Sequence, residues 1–192
     1  EAERIIIPDI GNPRFSYSGG KMITELLTLH YLRDIPQRII FRPHNVYGPD
    51  MGWEHVIPDF MRRIRETSHT AINDRLSFSI QGTGRETRAF CYIDDAVDGI
   101  IICAEKGEDG ETYHLGVDEE IDINSLAKQI GQLAGYELEL QLKELRAGGT
   151  MRRCPNITKL RGLGYVPKVS LEQGLEKCWG WYGSAQLPKK LI

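Results

Sequence analysis

The feature of this sequence that most limits its fold is a regular alternation between helical periodicity and short apolar runs. Helices are predicted where apolar residues recur three and four positions apart. These segments are residues 16–33, 56–66, 94–107, 123–135 and 170–182. Strands are predicted where short runs are apolar or alternate between apolar and polar residues. These runs are residues 37–43, 76–82, 87–93, 111–117 and 137–142. The alternation indicates an α/β protein.

Residues that start and stop helices support several of these boundaries. Asn124 or Ser125 is expected to cap the fourth helix, and Gly135 is expected to end it. Ser170 is expected to cap the last helix. The glycines and the proline of "RAGGTMRRCP", residues 146–155, predict a loop.

Composition and charge exclude several classes of function. The 192 residues can form one large domain or two small ones. No apolar run approaches the roughly 18 residues of a membrane span, so we expect no membrane partner and a cytoplasmic location. The formal charge of -3 offers no basic field for a nucleic acid. The four cysteines are far apart without metal-ligand spacing, which predicts reduced, mostly buried thiols and no metal site. They are Cys91, Cys103, Cys154 and Cys178.

The stretch "RFSYSGGKMITELL", residues 14–27, places Tyr17 four residues before Lys21. Residues with this spacing share one face of a helix. A nearby cation favours the phenolate form of a tyrosine, which can then act as a general base. The alternative is an ordinary solvated pair, because such spacing also recurs by chance.

The helix that carries this pair is apolar around more of its circumference than a surface helix needs. Its large apolar residues are Met22, Ile23, Leu26, Leu27, Leu29 and Tyr31. We therefore expect it to be buried on two sides, by its own sheet and by a second subunit of a homodimer. A helix at the centre of a monomeric core is the alternative.

Three further stretches follow the Tyr-Lys pair: "FRPHNVYGPDM" (41–51), "GTGRETRAFCYIDDAVDGI" (82–100) and "MRRCPNITKLRGLGYVPKVSLEQGL" (151–175). From about residue 15 to about residue 182, the chain resembles the C-terminal two-thirds of the extended short-chain dehydrogenase/reductases that act on nucleotide sugars. The resemblance implies the second part of a doubly wound Rossmann-type parallel sheet plus a small α/β substrate-binding domain. Residues 1–54 would end the NAD-binding domain and carry the catalytic helix. Residues 55–192 would mainly bind the nucleotide sugar, with some segments returning to the Rossmann sheet.

The resemblance also implies the catalytic and cofactor-binding residues. Tyr17 would take the proton from the sugar 4-hydroxyl as hydride passes to NAD, and Lys21 would hold the nicotinamide ribose. Epimerisation, dehydration or decarboxylation of the sugar would follow. Pro43 and His44 would lie against the nicotinamide, at the end of a strand where doubly wound sheets bind ligands. His55 would approach the cofactor.

The same resemblance implies a binding site for the nucleotide-diphosphate sugar. Asn45 would bind the substrate near its diphosphate, and Val56 and Ile57 would offer backbone groups to the nucleotide. Arg88 and Arg153 match the positions of arginines that bind the two phosphates, for which the planar guanidinium is well suited.

Some neighbouring residues are alternatives within this site. Arg85 and Arg152 could replace the two arginines, although solvent-facing positions are expected for both. Ile80 or Gln81 would border the base, where the family often has an aromatic residue.

No glycine-rich dinucleotide loop opens the chain, since "GTGRETR" (82–88) precedes a strand rather than a helix. We therefore expect the chain to be the later part of a larger enzyme that does not turn over alone. Two other interpretations remain. One is a non-catalytic NAD- or nucleotide-sugar-binding regulatory relative, and the other is a structural fragment without a ligand.

Overall fold

A computed structural model describes residue 9, residues 11–144 and residues 150–188. Six α-helices and nine strands are present among these residues, in the order that follows. They are α1 (Ser16–Leu26), β1 (Ile40–Pro43), β2 (Val46–Tyr47), α2 (Val56–Thr67), β3 (Arg75–Gln81), β4 (Thr87–Ala89), β5 (Cys91–Tyr92), α3 (Ile93–Lys106), β6 (Thr112–Leu115), β7 (Glu120–Asp122), α4 (Ile123–Leu133), β8 (Glu137–Lys143), β9 (Arg152–Arg153), α5 (Thr158–Gly162) and α6 (Leu171–Tyr182). A π-helical turn, Leu27–Tyr31, continues α1.

Most strand pairs are parallel, as an α/β fold requires. Strand β1 pairs with β6, β2 with β5, and β3 with β8, all in parallel. Strand β4 lies between antiparallel β7 and parallel β9. The single strand predicted over residues 87–93 is therefore two strands, because the chain leaves one sheet after Ala89 and joins another at Cys91.

The buried apolar residues form two clusters. The larger one lies between α2, α4, α6 and the β3–β8 pair, and includes Met61, Phe78 and Leu126. The smaller one lies between α3, α5 and strand β6, and includes Tyr113 and Leu160. Strand β5 contributes Cys91 to the smaller cluster and Tyr92 to the larger one, so this short strand lies where the two cores meet.

The cysteines match the prediction of reduced, mostly buried thiols. All four are free, and Cys91, Cys103 and Cys178 are buried. Burial raises the pKa of Cys91 to about 11 and that of Cys178 to about 12. These thiols are therefore protonated near neutral pH and serve as small apolar groups in the core.

The helix caps confirm some predictions and correct others. Ser170 caps α6 in a capping box with Gln173, as predicted. Gly135 follows α4 with a φ of +86°, in the left-handed region that a glycine adopts without strain. The predicted cap of α4 at Asn124 or Ser125 is wrong, because Asp122 accepts the Ser125 backbone N–H at 2.8 Å.

Part of the loop predicted over residues 146–155 lies outside the described residues. Where the chain is described again, Arg152 and Arg153 form β9 instead of a loop. This strand is stabilised by pairing with β4, which a glycine-rich local sequence does not reveal.

Helix α1 is exposed in the single chain. No residue of α1 is buried among the described residues, so it is not the centre of this chain's core. Its burial by a second subunit stays a prediction. Two arginines of the β1 region connect it to the sheet. Arg42 donates to both carboxylate oxygens of Glu25, at 2.8 and 2.6 Å. Arg38 donates to the Leu29 carbonyl at 2.8 Å.

No helix in the described parts of the chain combines the length and the apolar character needed to cross a membrane.

Candidate active site

Tyr17 and Lys21 lie on one exposed face of α1. The ammonium nitrogen of Lys21 is 5.4 Å from the centre of the Tyr17 ring. The Tyr17 side chain is 76% exposed, so its hydroxyl is accessible from outside the chain. The predicted juxtaposition of the two side chains is present, and both are open to a ligand.

The carboxyl end of β1 places Pro43 and His44 beside β6. The backbone N–H of His44 donates to the Leu115 carbonyl at 2.9 Å. The Nε2 atom of His44 is 2.7 Å from Nδ1 of His114. Burial lowers the pKa of His44 to about 4, with further contributions from His114, Arg42 and Arg153. His44 is therefore a neutral, half-buried imidazole at neutral pH.

Asn45 connects the end of β1 to the next sheet. Its φ of +41° is in the left-handed region, which asparagine tolerates better than most residues. The side-chain amide donates to the Ala89 carbonyl at 2.9 Å, and the Asn45 carbonyl accepts the Cys91 N–H at 3.2 Å. These bonds fix Asn45 at the junction of β4 and β5.

A cavity of about 520 Å³ gathers most of the predicted substrate-binding residues, and we call it the arginine cavity. Its volume lies within the range of small-molecule sites. Asn45, Val56, Arg88 and Arg153 all border it. Its remaining lining residues are Glu54, Asp59, Phe60, Arg63, Gln81, Glu86, Phe90 and Ile123.

Arg88 and Arg153 lie side by side on the wall of the arginine cavity, whose lining also holds Arg63 and the carboxylates of Glu54, Asp59 and Glu86. Arg88 and Arg153 are register partners on the parallel strands β4 and β9. Arg88 donates to the carbonyls of Thr87 at 2.6 Å and Thr150 at 2.8 Å, and Arg153 donates to the Thr150 hydroxyl at 3.4 Å. Burial and the repulsion of Arg153 lower the pKa of Arg88. Neither arginine has a carboxylate partner within the described residues, so the pair attracts an anion.

Glu86 is a cavity residue that the sequence interpretation missed. It is 3% exposed and accepts hydrogen bonds from the backbone N–H and the hydroxyl of Thr83, at 3.0 and 3.2 Å. Burial alone would raise its pKa, but these hydrogen bonds outweigh burial and the pKa is lowered. Its Oε2 atom has no hydrogen-bond partner in the part of the chain that the structure describes.

The first turn of α2 borders the same cavity through Val56. His55 is the N-cap residue and its side chain does not cap the helix. Val56 and Ile57 are the first helical residues, and Pro58 after them has no N–H. Ile57 is 1% exposed as a whole residue and packs in the larger core, and it is not among the residues that border the arginine cavity.

His55 borders a different cavity from the other predicted cofactor residues. That cavity, of about 560 Å³, is lined by residues from Met51 to His55 and by Asp59 and Arg62, among others. Glu54 and Asp59 also border the arginine cavity, so the two cavities are adjacent. The structure brings the predicted substrate residues together more closely than the predicted cofactor residues.

The structure also distinguishes between the neighbouring residues that the sequence offered as alternatives for this site. Ile80 is 1% exposed and belongs to the core, whereas Gln81 borders the arginine cavity. Arg85 is exposed. Arg152 is exposed and donates to Glu120 at 3.0 Å, as expected for a solvent-facing residue.

No group of three or more metal-ligating side chains lies close enough to hold a metal ion in residue 9 and residues 11–144 and 150–188.

Comparison with known proteins identifies the family of the chain. A family model described as the NAD dependent epimerase/dehydratase family matches residues 3–116. The chain belongs to this family. Its predicted α/β class with parallel strands is confirmed, and its structural neighbours have a Rossmann fold.

Three proteins illustrate what this chain is similar to. GDP-L-fucose synthase 1 of Arabidopsis thaliana is 32% identical over 144 residues, which are 73% of this chain and 44% of that protein. The UDP-glucose 4-epimerase of Thermotoga maritima, solved with UDP-glucose, has a TM-score of 0.76 at 28% identity, covering 87% of this chain and 53% of that one. The dTDP-glucose 4,6-dehydratase of Bacillus anthracis, solved with NAD, has a TM-score of 0.74 at 25% identity, covering 94% and 54%. The chain spans about half the length of the curated relatives it matches.

Proposed function

We propose that this chain is the nucleotide-sugar-binding part, with the catalytic helix, of an NAD-dependent nucleotide-sugar epimerase or dehydratase. The observation that carries the proposal is the arginine cavity, where Asn45, Arg88 and Arg153 come together from three separate motifs. A nucleotide sugar brings two phosphate groups, which guanidinium groups bind through charged, paired hydrogen bonds. Two arginines on neighbouring strands repel each other, and a diphosphate would remove that repulsion.

The relatives support the same ligand class. Their names include a GDP-sugar synthase, a UDP-sugar epimerase solved with UDP-glucose and a dTDP-sugar dehydratase solved with NAD. The shared part of these substrates is a nucleoside diphosphate. The arginine cavity offers charges suited to that shared part, without pointing to one sugar.

The other lining residues suit the rest of a nucleotide. Val56, at the start of α2, borders the cavity, and its backbone N–H would donate to a carbonyl or phosphate oxygen. Gln81 would border the base, because it faces the cavity while Ile80 faces the core. Asn45, held by its bond to the Ala89 carbonyl, would lie near the diphosphate.

Tyr17 and Lys21 would supply the proton chemistry at the sugar. Tyr17 would accept the proton of the sugar 4-hydroxyl, beside the Lys21 ammonium, which lies 5.4 Å from the centre of the Tyr17 ring. When bound, NAD would accept the hydride from sugar C4. Lys21 would also hold the nicotinamide ribose.

The end of β1 fits a nicotinamide ring. Pro43 offers an apolar ring, and His44 offers an imidazole whose pKa of about 4 keeps it uncharged near neutral pH. A neutral imidazole does not repel a cationic ring, whereas a protonated one would. His55, on the adjacent cavity, would approach the cofactor from the start of α2.

The two cores suggest how the chain divides. The smaller core, with β1, α3, β6 and α5, would complete the NAD-binding domain, and the larger core would form the nucleotide-sugar-binding domain. The boundary near residue 54 would then be crossed several times, since α3 and β6 return to β1.

A homodimer would cover the exposed apolar face of α1. Besides Tyr17, four large apolar residues on α1 and its π-helical continuation are between 52% and 80% exposed. They are Ile23, Leu26, Leu27 and Tyr31. An apolar patch of this kind often marks a protein interface, and symmetric dimers place the same patch on both subunits.

Replacing Tyr17 by Phe tests the catalytic part of the proposal. With the complete polypeptide, NAD+ and a panel of nucleotide sugars, we expect Tyr17→Phe to lower turnover by about 100-fold or more, since it removes the general base. Nucleotide-sugar affinity, measured by calorimetry, should remain within about twofold because Tyr17 lies outside the arginine cavity. Tyr136→Phe is the control, since Tyr136 follows α4 and lies away from α1. Undiminished turnover would contradict the proposal and favour a non-catalytic relative.

A further inference from the structure

The guanidinium of Arg63 lies over aromatic rings at the wall of the arginine cavity. Its guanidinium carbon is 4.2 Å from the centre of the Phe78 ring and 5.8 Å from that of Phe60. Both phenyl rings are buried, at 2% and 5% exposure, whereas the Arg63 side chain keeps 26%. Phe78 therefore covers one face of the guanidinium, and the exposed remainder borders the cavity.

Both terminal nitrogens of Arg63 already donate hydrogen bonds within the chain. They reach the Ser79 carbonyl, the Ser79 hydroxyl at 3.1 Å, and the Asp59 carboxylate at 3.4 Å. A guanidinium held through both terminal nitrogens cannot easily turn them toward a phosphate. In this respect Arg63 differs from Arg88 and Arg153, which have no carboxylate partner among the described residues. What Arg63 offers a ligand is its flat face.

The surroundings of Arg63 suit a nucleobase. Gln81 lies two residues after Ser79 on the same face of β3 and borders the same cavity. No hydrogen-bond partner of the Gln81 amide is found in the part of the chain described, so it can donate to and accept from the edge of a base. Strand β3 presents no aromatic ring to the cavity, because Phe78 and Ile80 face the core.

We propose that the nucleobase of a bound nucleoside diphosphate stacks on the exposed face of the Arg63 guanidinium, with the Gln81 amide at its edge. Arginine planes stack on nucleobases in this way, and each base is flat enough to use such a surface. The inference rests on the proposed function, because it needs the diphosphate to lie at Arg88 and Arg153. It assigns the base to a residue that no motif in the sequence indicates.

A purely structural role for Arg63 is the competing explanation. By donating to the Ser79 carbonyl, Arg63 satisfies a backbone group on the edge of β3 opposite its partner β8. That role predicts a loss of stability when Arg63 is replaced. It also predicts that any loss of ligand affinity is the same for ligands with a base and ligands without one. The two explanations therefore differ in which ligands are affected.

The test compares ligands with and without a base. Affinities of the unchanged chain, Arg63→Ala and Arg63→Lys are measured for UDP and GDP by calorimetry, and for inorganic pyrophosphate by competition with UDP. Lysine keeps the charge and can still donate to Ser79, so Arg63→Lys controls for a loss of folding. It has no planar face, so it cannot stack on a base. We expect both variants to bind UDP and GDP roughly 5- to 50-fold more weakly, while pyrophosphate affinity stays within about twofold.

Arg62 provides the matched control. It precedes Arg63 on α2 and pairs with the same Asp59 and with Glu66, but it borders the adjacent cavity instead. We expect Arg62→Lys to leave the affinities for UDP, GDP and pyrophosphate within about twofold of the unchanged chain.

The outcomes separate this inference from the proposed function. Equal weakening of pyrophosphate and UDP, or unchanged binding of UDP and GDP, would overturn the role of Arg63. If Arg88→Ala still weakened UDP binding in that case, the proposed function would stand. Absence of any UDP or GDP binding to the unchanged chain would overturn both.

Discussion

Helices α1 and α4 each contain 11 residues, yet the chain packs them very differently. No residue of α1 is buried among the described residues, while α4 buries Leu126, Ala127, Ile130 and Gly131. Helix α4 begins at Ile123 on the wall of the arginine cavity, whereas α1 carries the Tyr17–Lys21 pair.

This difference shows which contacts position each half of the candidate site. The arginine cavity rests on the larger core, so its walls are positioned by the packing of this chain alone. The proposed catalytic pair is positioned by a helix that two arginines connect to the β1 region. A second subunit, as proposed above, would give α1 the cover that α4 already has.

Two matched leucine substitutions test this comparison most directly. Leu126 is fully buried in α4 and Leu26 is 58% exposed in α1. We expect Leu126→Ala to lower the free energy of unfolding by about 3 kcal/mol, because it removes buried methyl groups and leaves a cavity. Leu26→Ala should cost less than about 0.5 kcal/mol in the monomer. Urea unfolding at low protein concentration measures both.

The comparison would fail if the two leucine substitutions cost similar amounts in the monomer. A cost of Leu26→Ala that grows with protein concentration would instead support the homodimer through α1. Sedimentation of the unchanged chain over the same concentrations distinguishes these outcomes.

A second prediction concerns the charge of the arginine cavity. Arg88→Ala should weaken UDP or dTDP binding by roughly 10- to 100-fold, since a hydrogen bond to a charged group contributes about 1.5–3 kcal/mol. The affinity should also depend less on salt than that of the unchanged chain. Calorimetry at two ionic strengths measures both effects.

Arg75→Ala is the matched control for Arg88→Ala. Arg75 lies at the start of β3, is 61% exposed and pairs with Glu137 and Glu139 rather than bordering the cavity. Its removal should leave nucleotide affinity unchanged. If both variants bound nucleotide equally well, the arginine cavity would not be the diphosphate site.

Much of the fold could be predicted from the sequence because its helices have regular periodicity and caps. The bounds of α2, α3 and α6 differ from the predicted segments by at most one residue at each end. The division of residues 87–93 could not be predicted, because alternation along a strand does not reveal which strand pairs with it. The cap of α4 was misplaced by two or three residues because Asp122, Asn124 and Ser125 are all good cap formers.

The candidate site was predictable to the extent that its residues lie in recognisable motifs. Asn45, Arg88 and Arg153 were expected near one ligand through the resemblance to a family, and the structure places all three on one cavity. Arg63 and Glu86 were not expected. An arginine within a helix and a glutamate before a strand have no distinguishing pattern, and only the packing against Phe78 and the hydrogen bonds from Thr83 single them out.

The smallest expected effect concerns the ion pair that connects α1 to β1. Hydrogen bonding by Arg42 lowers the pKa of Glu25, so the contribution of this pair is present above the ordinary pKa of a glutamate and is lost as the pH falls through the lowered value. Both side chains are partly exposed, at 21% for Glu25 and 30% for Arg42, so we expect only about 0.5 kcal/mol. Glu25→Gln at pH 7 should therefore speed amide hydrogen exchange in α1 by about twofold, without changing exchange in α4. At a pH below the lowered pKa, the variant and the unchanged chain should exchange alike.

Glu139→Gln, in the more exposed pair with Arg75, should have no measurable effect on either helix. Equal exchange in α1 at pH 7 with and without Glu25 would mean that the Arg38 bond to Leu29 or another contact orders the catalytic helix instead.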